Sequence, residues 1–153
     1  MTGVALESLA GLRAAGTPRG VVSVCSAHPV VLRAALRHGR DTGATVLIEA
    51  TCNQVNHRGG YTGMTPADFA ALVGRLAKAE GCPAGQVVLG GDHLGPNPWR
   101  DRPADEALAE AERMVEAYVA AGFRKVHLDA SMGCAGEPPA LDDAATAERA
   151  ARL

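Results

Sequence analysis

Four short runs of apolar, mostly β-branched residues recur along the chain, and stretches with helical spacing separate them. Each run is nearly continuously apolar, which is typical of a parallel strand that is covered on both faces. We therefore predict strands at 20–25, 45–50, 86–91 and 125–130. Strict alternation of strands and helices implies an α/β fold with a parallel sheet and right-handed crossovers.

Proline and glycine residues mark the ends of the helical segments between these strands. Pro29 lies where a first helical residue is favoured, and Gly39 closes an apolar stripe of helical spacing. Thr65 before Pro66 is typical of an N-terminal cap, and Gly81 suits a C-terminal end. The predicted helices are an amphipathic segment at 1–16 and the spans 29–39, 65–81, 103–122 and 141–153.

Two architectures fit this alternation: an open doubly wound sheet and part of a (β/α) barrel of the TIM type. A dinucleotide-binding doubly wound fold carries G-x-G-x-x-G after its first strand. Residues 26–29 contain no glycine, and the glycines around Asp92 have a different spacing. Four βα units amount to half of an eight-fold barrel, which usually takes about 250 residues.

A half-barrel would be an incomplete structural unit. Its first and last strands would present unpaired backbone N–H and C=O groups, and its inward face would lack the layers that the other half supplies. We therefore expect a single domain over 1–153 that associates as a homo-oligomer. The aliphatic side chains expected on the inward face are Val22, Val24, Val46, Ile48, Val88 and Val126.

The composition argues against several classes of partner. Lysine and arginine total 15 against 17 acidic residues, so there is no basic excess to neutralise a phosphate backbone. Aromatic residues make up only 3%, and no apolar run approaches the roughly 20 residues of a membrane span. We expect neither a nucleic acid nor a membrane partner. The four cysteines form no C-x-x-C pair, which favours reduced thiols and a cytoplasmic location.

Polar side chains collect at the carboxyl ends of the four predicted strands, where parallel α/β folds bind their ligands. Each of these residues alone is also consistent with a turn, because Asp, Asn and Ser favour turns. Together they indicate one binding face. The candidates for substrate binding at the strand ends are Ser26, His28, Glu49, Asn53, Gln54, Asp129 and Ser131.

The adjacent pair Asp92 and His93 is the sharpest chemical feature of the sequence. A neutral imidazole can ligate a divalent metal, and a carboxylate beside it can move a proton. Neighbouring residues can both reach a site at a strand end, because the chain is leaving the sheet there. A histidine with a satisfied hydrogen bond is the alternative explanation. Flanking glycines favour the functional one, since they let backbone approach a ligand closely.

Two further segments carry weaker signals. The loop 57–65 contains three glycines and Arg58 and runs into a helix N-terminus, which suits a phosphate-binding or sugar-binding lid or an ordinary flexible connection. Cys25, Cys52 and Cys134 follow three of the strands, so one interpretation is a thiolate zinc site with His93. Their spacing matches no zinc-finger pattern, and small buried thiols are the alternative.

Six segments, taken together and in order, resemble the accessory-subunit family of tagatose-bisphosphate aldolase, the GatZ/KbaZ-like proteins. This resemblance implies a (β/α)₈ barrel related to class II aldolases, with family chains more than twice as long as this one. It therefore implies that the chain is a truncated form, the N-terminal half-barrel. The segments are 23–29 (SVCSAHP), 48–51 (IEAT), 53–56 (NQVN), 59–68 (GGYTGMTPAD), 89–97 (LGGDHLGPN) and 127–132 (HLDASM).

The resemblance also implies roles for the Asp92–His93 pair. In class II aldolases an Asp-His pair at the third strand supplies the proton-transfer carboxylate and one zinc ligand, so Asp92 is the expected catalytic residue and His93 the expected metal ligand. The other two histidine ligands of those enzymes lie on later strands. The resemblance therefore implies a divalent metal, of which zinc is the first candidate, with an incomplete site in this chain.

The sequence leaves three functions, of which the first is the main expectation and the other two are alternatives. The first is a supporting subunit of D-tagatose-1,6-bisphosphate aldolase in the catabolism of galactitol, N-acetylgalactosamine or tagatose, with a catalytic aldolase subunit as partner. The second is a metal-dependent 4-epimerase that interconverts D-tagatose 6-phosphate and fructose 6-phosphate by retro-aldol cleavage and re-addition. The third is a binding or assembly half-barrel without chemistry. The first two imply a phosphorylated ketohexose as ligand, and we expect the 153-residue chain alone to be inactive.

Overall fold

Four parallel strands lie side by side in the order in which they occur in the chain. The structure is a computed structural model, and it describes residues 5–153. The strands are β1 (Ser23–Cys25), β2 (Val46–Thr51), β3 (Val87–Leu94) and β4 (Lys125–Leu128). The helices are α1 (Leu9–Ala14), α2 (Pro29–Thr42), α3 (Pro66–Glu80), α4 (Ala104–Ala120) and α5 (Asp143–Arg152), with short 3₁₀ turns at Leu6–Ser8, Ala84–Gln86 and Asn97–Trp99.

The sequential strand order distinguishes between the two predicted architectures. A doubly wound sheet reverses its strand order at a switch point, whereas a (β/α) barrel adds each strand beside the previous one. Here α2 packs against α3 and α3 against α4, and these helices share one hydrophobic core with β2. The prediction of a parallel α/β fold that forms part of a (β/α) barrel is confirmed.

One side of the sheet is covered by the helices, and the other, which we call the open side, is not. The side chains expected to point inward do not all lie on the open side. Val46 and Ile48 are buried in the core under the helices, and Val24 pairs with Ile48 on that same face. Val126 also lies on the helix side, because it pairs with Gly91, whose position contacts α4. The expectation that these valines and Ile48 point inward is therefore wrong. Val22 is 79% exposed and precedes the first strand, so only Val88 of the six shares the open side with Glu49.

Several element ends also differ from the sequence prediction. The first strand has three residues instead of six, because it lies at the edge of the sheet and pairs only with β2. The helix after Pro29 continues past Gly39 to Thr42, and Gly43 ends it at φ 71°. Gly39 is needed inside this helix, since a Cβ there would lie 2.0 Å from Val46 Cγ2.

The remaining helix predictions hold with small shifts. The cap at Thr65 is confirmed as a capping box with Asp68, and Gly81 ends α3 at φ 68°. The last helix begins at Asp143 with Asp142 as its N-terminal cap. The first predicted segment contains a 3₁₀ turn and a short α-helix, and its first four residues lie outside the described part. Within 5–153, no helix is both long and apolar enough to cross a membrane.

Candidate functional site

The carboxyl end of β3 carries an irregularity that brings two neighbouring side chains into contact. The register between β3 and β4 shifts between Gly91 and Leu94, and His93 has a positive φ of 50°. In a regular strand, the side chains of Asp92 and His93 would point to opposite faces. Here His93 Nδ1 lies 3.1 Å from Asp92 Oδ2. The β-bulge therefore gives both side chains access to the same site.

A second histidine, His127 of β4, completes the cluster around Asp92. Its Nδ1 lies 2.9 Å from Asp92 Oδ1, and its ring centroid lies 4.5 Å from that of His93. Asp92 is mostly buried, whereas the His93 and His127 side chains are 56% and 46% exposed. One carboxylate thus sits between two imidazoles at the open end of the sheet.

Asp92 is ionised over the whole physiological pH range. Desolvation raises the pKa of Asp92, but the hydrogen bonds from His127 and His93 outweigh it and lower the pKa to about 2. An ionised carboxylate can only accept hydrogen bonds, so a neutral His127 donates from Nδ1 and keeps a lone pair on Nε2. The carboxylate therefore fixes the tautomer and orientation of the ring that contacts it.

The donor set of this cluster fits a divalent metal. Within the described residues, the ligating atoms of Asp92, His93 and His127 lie within 4.8 Å of one another. Imidazole nitrogen and carboxylate oxygen are ligands of zinc and other divalent transition metals, and histidine ligands commonly donate their second N–H to a carboxylate. The thiolate alternative has less support, because the described residues whose ligand atoms lie close enough to share a metal with His93 include none of Cys25, Cys52 and Cys134.

His127 and Lys125 are site residues that the sequence reasoning did not select. Both lie inside a run that we interpreted as a uniformly buried strand. The signal was present in the alternation of Lys125, His127 and Asp129, which places a polar group at every second residue. Such a period of two indicates one polar face of a strand, and that face is the open side of this sheet.

Glu49 lies deeper in the sheet than the other candidates at the strand ends, and its role in substrate binding stays a prediction. Its side chain is 4% exposed, and its Oε1 lies 2.5 Å from Lys125 Nζ. Its other oxygen accepts a hydrogen bond from the Ser23 hydroxyl. Lys125 Nζ also lies 3.7 Å from Asp92 Oδ1. Glu49 therefore belongs to the same polar face as Asp92, one layer below it.

The candidates after β1 and β2 make local contacts. His28 caps α2, because its Nδ1 accepts a hydrogen bond from Val30 N at 3.3 Å, and Ser26 Oγ accepts one from His28 N at 3.1 Å. Gln54 Oε1 accepts a hydrogen bond from Thr51 N at 2.9 Å. The exposed Asn53 lies beside it in the same loop. Substrate binding by these four residues stays a prediction.

Arg58 lies on the α4 side of its loop. Its guanidinium donates two hydrogen bonds to the buried carboxylate of Glu110, from Nε at 2.8 Å and from an Nη at 2.6 Å. His57 Nε2 lies 2.9 Å from the same carboxylate. The Arg58 side chain is still 53% exposed. The contact between Arg58 and Glu110 anchors the loop. Binding of a sugar or phosphate by Arg58 stays a prediction.

Asp129 and Ser131 form a turn just beyond β4. Asp129 Oδ1 accepts hydrogen bonds from the backbone N–H of Ser131 at 3.1 Å and from its hydroxyl at 2.7 Å. Asp129 N donates to Leu94 O at 2.8 Å, which ties the turn to the end of β3. The two residues therefore lie at the same end of the parallel sheet as Asp92, and their role in binding stays a prediction.

Comparison with known proteins places this chain in a family. Residues 6–153 match the family described as D-tagatose-1,6-bisphosphate aldolase subunit GatZ/KbaZ-like. The chain belongs to the GatZ/KbaZ-like family. The predicted resemblance is confirmed, and it covers almost the whole chain.

Two proteins similar to this chain have different functional descriptions. The chain is 66% identical over 148 residues to the D-tagatose 6-phosphate 4-epimerase of Agrobacterium fabrum, a match covering 97% of this chain and 35% of that protein. It is 59% identical over 134 residues to the D-tagatose-1,6-bisphosphate aldolase subunit GatZ of Klebsiella pneumoniae, covering 88% of this chain and 32% of that protein.

A solved structure supports the fold assignment. It is the crystal structure of a protein from Sinorhizobium meliloti 1021 described as a "probable tagatose 6 phosphate kinase". The TM-score is 0.86 at 63% sequence identity, and the match covers 88% of this chain and 35% of that one. The chain thus spans about one third of the length of the relatives that it matches.

Proposed function

We propose that this GatZ/KbaZ-like chain supplies the first four strands of a (β/α)₈ barrel that inverts C4 of a ketohexose 6-phosphate. The observation that carries the proposal is the Asp92 carboxylate held between His93 and His127 at the open end of the sheet. The 66% identity to a D-tagatose 6-phosphate 4-epimerase supports the same reaction. Epimerisation, which the sequence analysis gave as an alternative, therefore has more support than the main expectation of a purely supporting role.

The reaction needs a base at the C4 hydroxyl and stabilisation of negative charge at C2. Asp92 starts ionised and accepts the proton of the C4 hydroxyl as the C3–C4 bond breaks. The electron pair of that bond passes to C3 and C2, which gives an enediolate and an aldehyde at C4. A divalent metal held by His93 and His127 would act as a Lewis acid on the C2 carbonyl oxygen.

Inversion follows from a rotation between cleavage and re-addition. The aldehyde turns its other face toward C3, the carbon–carbon bond forms again, and Asp92 returns its proton to the C4 oxygen. No oxidant or reductant is consumed, and the hydrogen on C4 is never removed. His127 and His93 keep Asp92 in place throughout, because each ring contacts one of its two oxygens.

A role as a subunit of D-tagatose-1,6-bisphosphate aldolase is the second candidate. The 59% identity to a protein described as subunit GatZ favours it. The two functions share the C3–C4 cleavage, and they differ in the fate of the aldehyde. An epimerase retains the aldehyde and re-adds it, whereas an aldolase releases it. A supporting subunit would change the turnover of a separate aldolase chain without turning over ketohexose 6-phosphate itself.

A direct test uses the intact protein and D-tagatose 6-phosphate. Formation of D-fructose 6-phosphate is measured with coupling enzymes, and release of a triose is measured in parallel. Asp92→Asn should reduce turnover about 10²–10⁴-fold, because the amide keeps the shape but cannot accept the proton. Asp41→Asn is the matched control, since Asp41 lies on the surface near the end of α2. Wild-type turnover in Asp92→Asn, or a wild-type protein without epimerisation, would contradict the proposal.

A further inference from the structure

A partly buried ion pair crosses the open side of the sheet directly below Asp92. Glu49 of β2, Gly90 of β3 and Lys125 of β4 lie in one register row. Strands β2 and β4 are not neighbours, so a contact between their side chains must pass over β3. Glu49 and Lys125 make this contact at 2.5 Å.

The glycine at position 90 is what allows the two side chains to meet. A Cβ on Gly90 would lie 2.8 Å from Glu49 Oε1, 2.9 Å from Glu49 Cγ and 3.2 Å from Lys125 Cδ. Any side chain on the middle strand would therefore push the pair apart. The row of Glu49, Gly90 and Lys125 forms a layer inside the half-barrel, of the kind that fills barrel interiors.

Lys125 connects this row of residues to the next row, which contains Asp92. Its Nζ reaches Glu49 in its own row and lies 3.7 Å from Asp92 Oδ1 in the next row. The lysine side chain is 30% exposed, whereas Glu49 is 4% exposed and also accepts a hydrogen bond from Ser23. The carboxylate is thus the fixed end of the arrangement, and the ammonium group is held in place by it.

We propose that Lys125, anchored by Glu49 across Gly90, is a positioning residue that holds the Asp92 carboxylate in the orientation that faces both imidazoles. This inference rests on the proposed function of Asp92 as the proton-transfer group. Contact with Lys125 and His127 on the same Oδ1 fixes the rotation of the carboxylate. Misplacement of a catalytic group by about 1 Å can reduce turnover about 100-fold.

The alternative explanation is that Lys125 only neutralises the buried charge of Glu49. A variant that removes both charges separates the two explanations. In Glu49→Gln/Lys125→Met, no buried carboxylate is left unpaired, so the fold should be retained. If Lys125 positions Asp92, kcat in the intact protein falls about 10–100-fold while KM changes less than about twofold. Lys78→Met, on the exposed side of α3, is the matched control.

Two kinetic results would overturn the proposal. A double variant with wild-type kcat would show that Lys125 serves only to neutralise Glu49. A raised KM with unchanged kcat would show that Lys125 contacts the substrate. Gly90→Ala tests the same pair without removing a charge, and it should reduce kcat in the same direction. Wild-type kcat in Gly90→Ala would also contradict the proposal.

A crystal structure of the double variant gives a readout that does not depend on turnover. The Asp92 carboxylate should adopt a second orientation and lose its 2.9 Å contact with His127 Nδ1. An Asp92 side chain in its original position would overturn the proposal even if the wild-type protein shows no epimerisation. Absence of wild-type turnover, by contrast, contradicts only the proposed function, so the two failures can be distinguished.

Discussion

The close approach of the β3 end to the turn after β4 predicts a large effect from one added methyl group. A Cβ on Gly95 would lie 1.7 Å from the carbonyl oxygen of Asp129 and 2.8 Å from its carbonyl carbon. Non-bonded heavy atoms are normally separated by about 3.5 Å, so the two backbone segments would have to move apart by roughly 1.5 Å or more. Both partners are backbone, so no side-chain rotation can relieve the contact.

This displacement would break the 2.8 Å hydrogen bond that Asp129 N donates to Leu94 O. Overpacking costs about 1–3 kcal/mol, and a lost hydrogen bond costs about 1 kcal/mol more. We therefore expect Gly95→Ala to lower the free energy of unfolding of the intact protein by about 3 kcal/mol. Urea unfolding followed by circular dichroism measures this change, with the denaturant midpoint as the readout.

Gly74 provides a matched control for the same substitution. It lies inside α3, and a Cβ there would have nothing within 4 Å. Gly74→Ala should therefore stabilise the protein by about 0.5–1 kcal/mol, because alanine favours the helix. Equal midpoints for Gly95→Ala and the wild-type protein would refute the reasoning from backbone contact.

Three further predictions concern ionisation, a buried hydroxyl and the metal. Hydrogen bonds from Arg58 outweigh desolvation and lower the pKa of Glu110 to about 2. The stability that this pair contributes should therefore be lost as the pH falls from about 4.5 to about 2. Glu110→Gln should weaken the pH dependence of the free energy of unfolding, measured by acid unfolding. Tyr118→Phe should cost about 1 kcal/mol in urea unfolding, because the hydroxyl donates to Val55 O at 2.8 Å. His127→Ala should lower the divalent metal content measured by elemental analysis, whereas unchanged occupancy would remove it from the ligand set.

Local patterns were sufficient for the strands and helices in the middle of the chain. The predicted strand at 45–50 differs from the buried strand β2 (Val46–Thr51) by one residue at each end, and both neighbours of β2 in the sheet are strands. The first strand was predicted three residues too long. β-branched residues favour an extended backbone, but only a partner strand makes a ladder, and β1 has one on a single side.

The candidate site was predictable where its residues are adjacent in sequence and where the parallel strand order alone brings strand ends such as those at Asp92 and Asp129 together. Asp92 and His93 are adjacent, so their pairing could be inferred without knowing the fold. The contact between Glu49 and Lys125 depends on the register of three strands and on a glycine between them. No local pattern contains that information. The alternation of polar residues at Lys125 and His127 is present in the sequence and indicates a polar strand face, but we expected an apolar strand there.

The most direct test of the account is the fate of the C4 hydrogen during turnover. The intact protein is incubated with D-tagatose 6-phosphate in deuterium oxide, and the hexose phosphates are examined by nuclear magnetic resonance. Retro-aldol cleavage with Asp92 as base predicts D-fructose 6-phosphate that has inverted C4 and retains protium there, with formation strongly reduced in Asp92→Asn. Deuterium at C4, or no interconversion at all by the wild-type protein, would contradict the account.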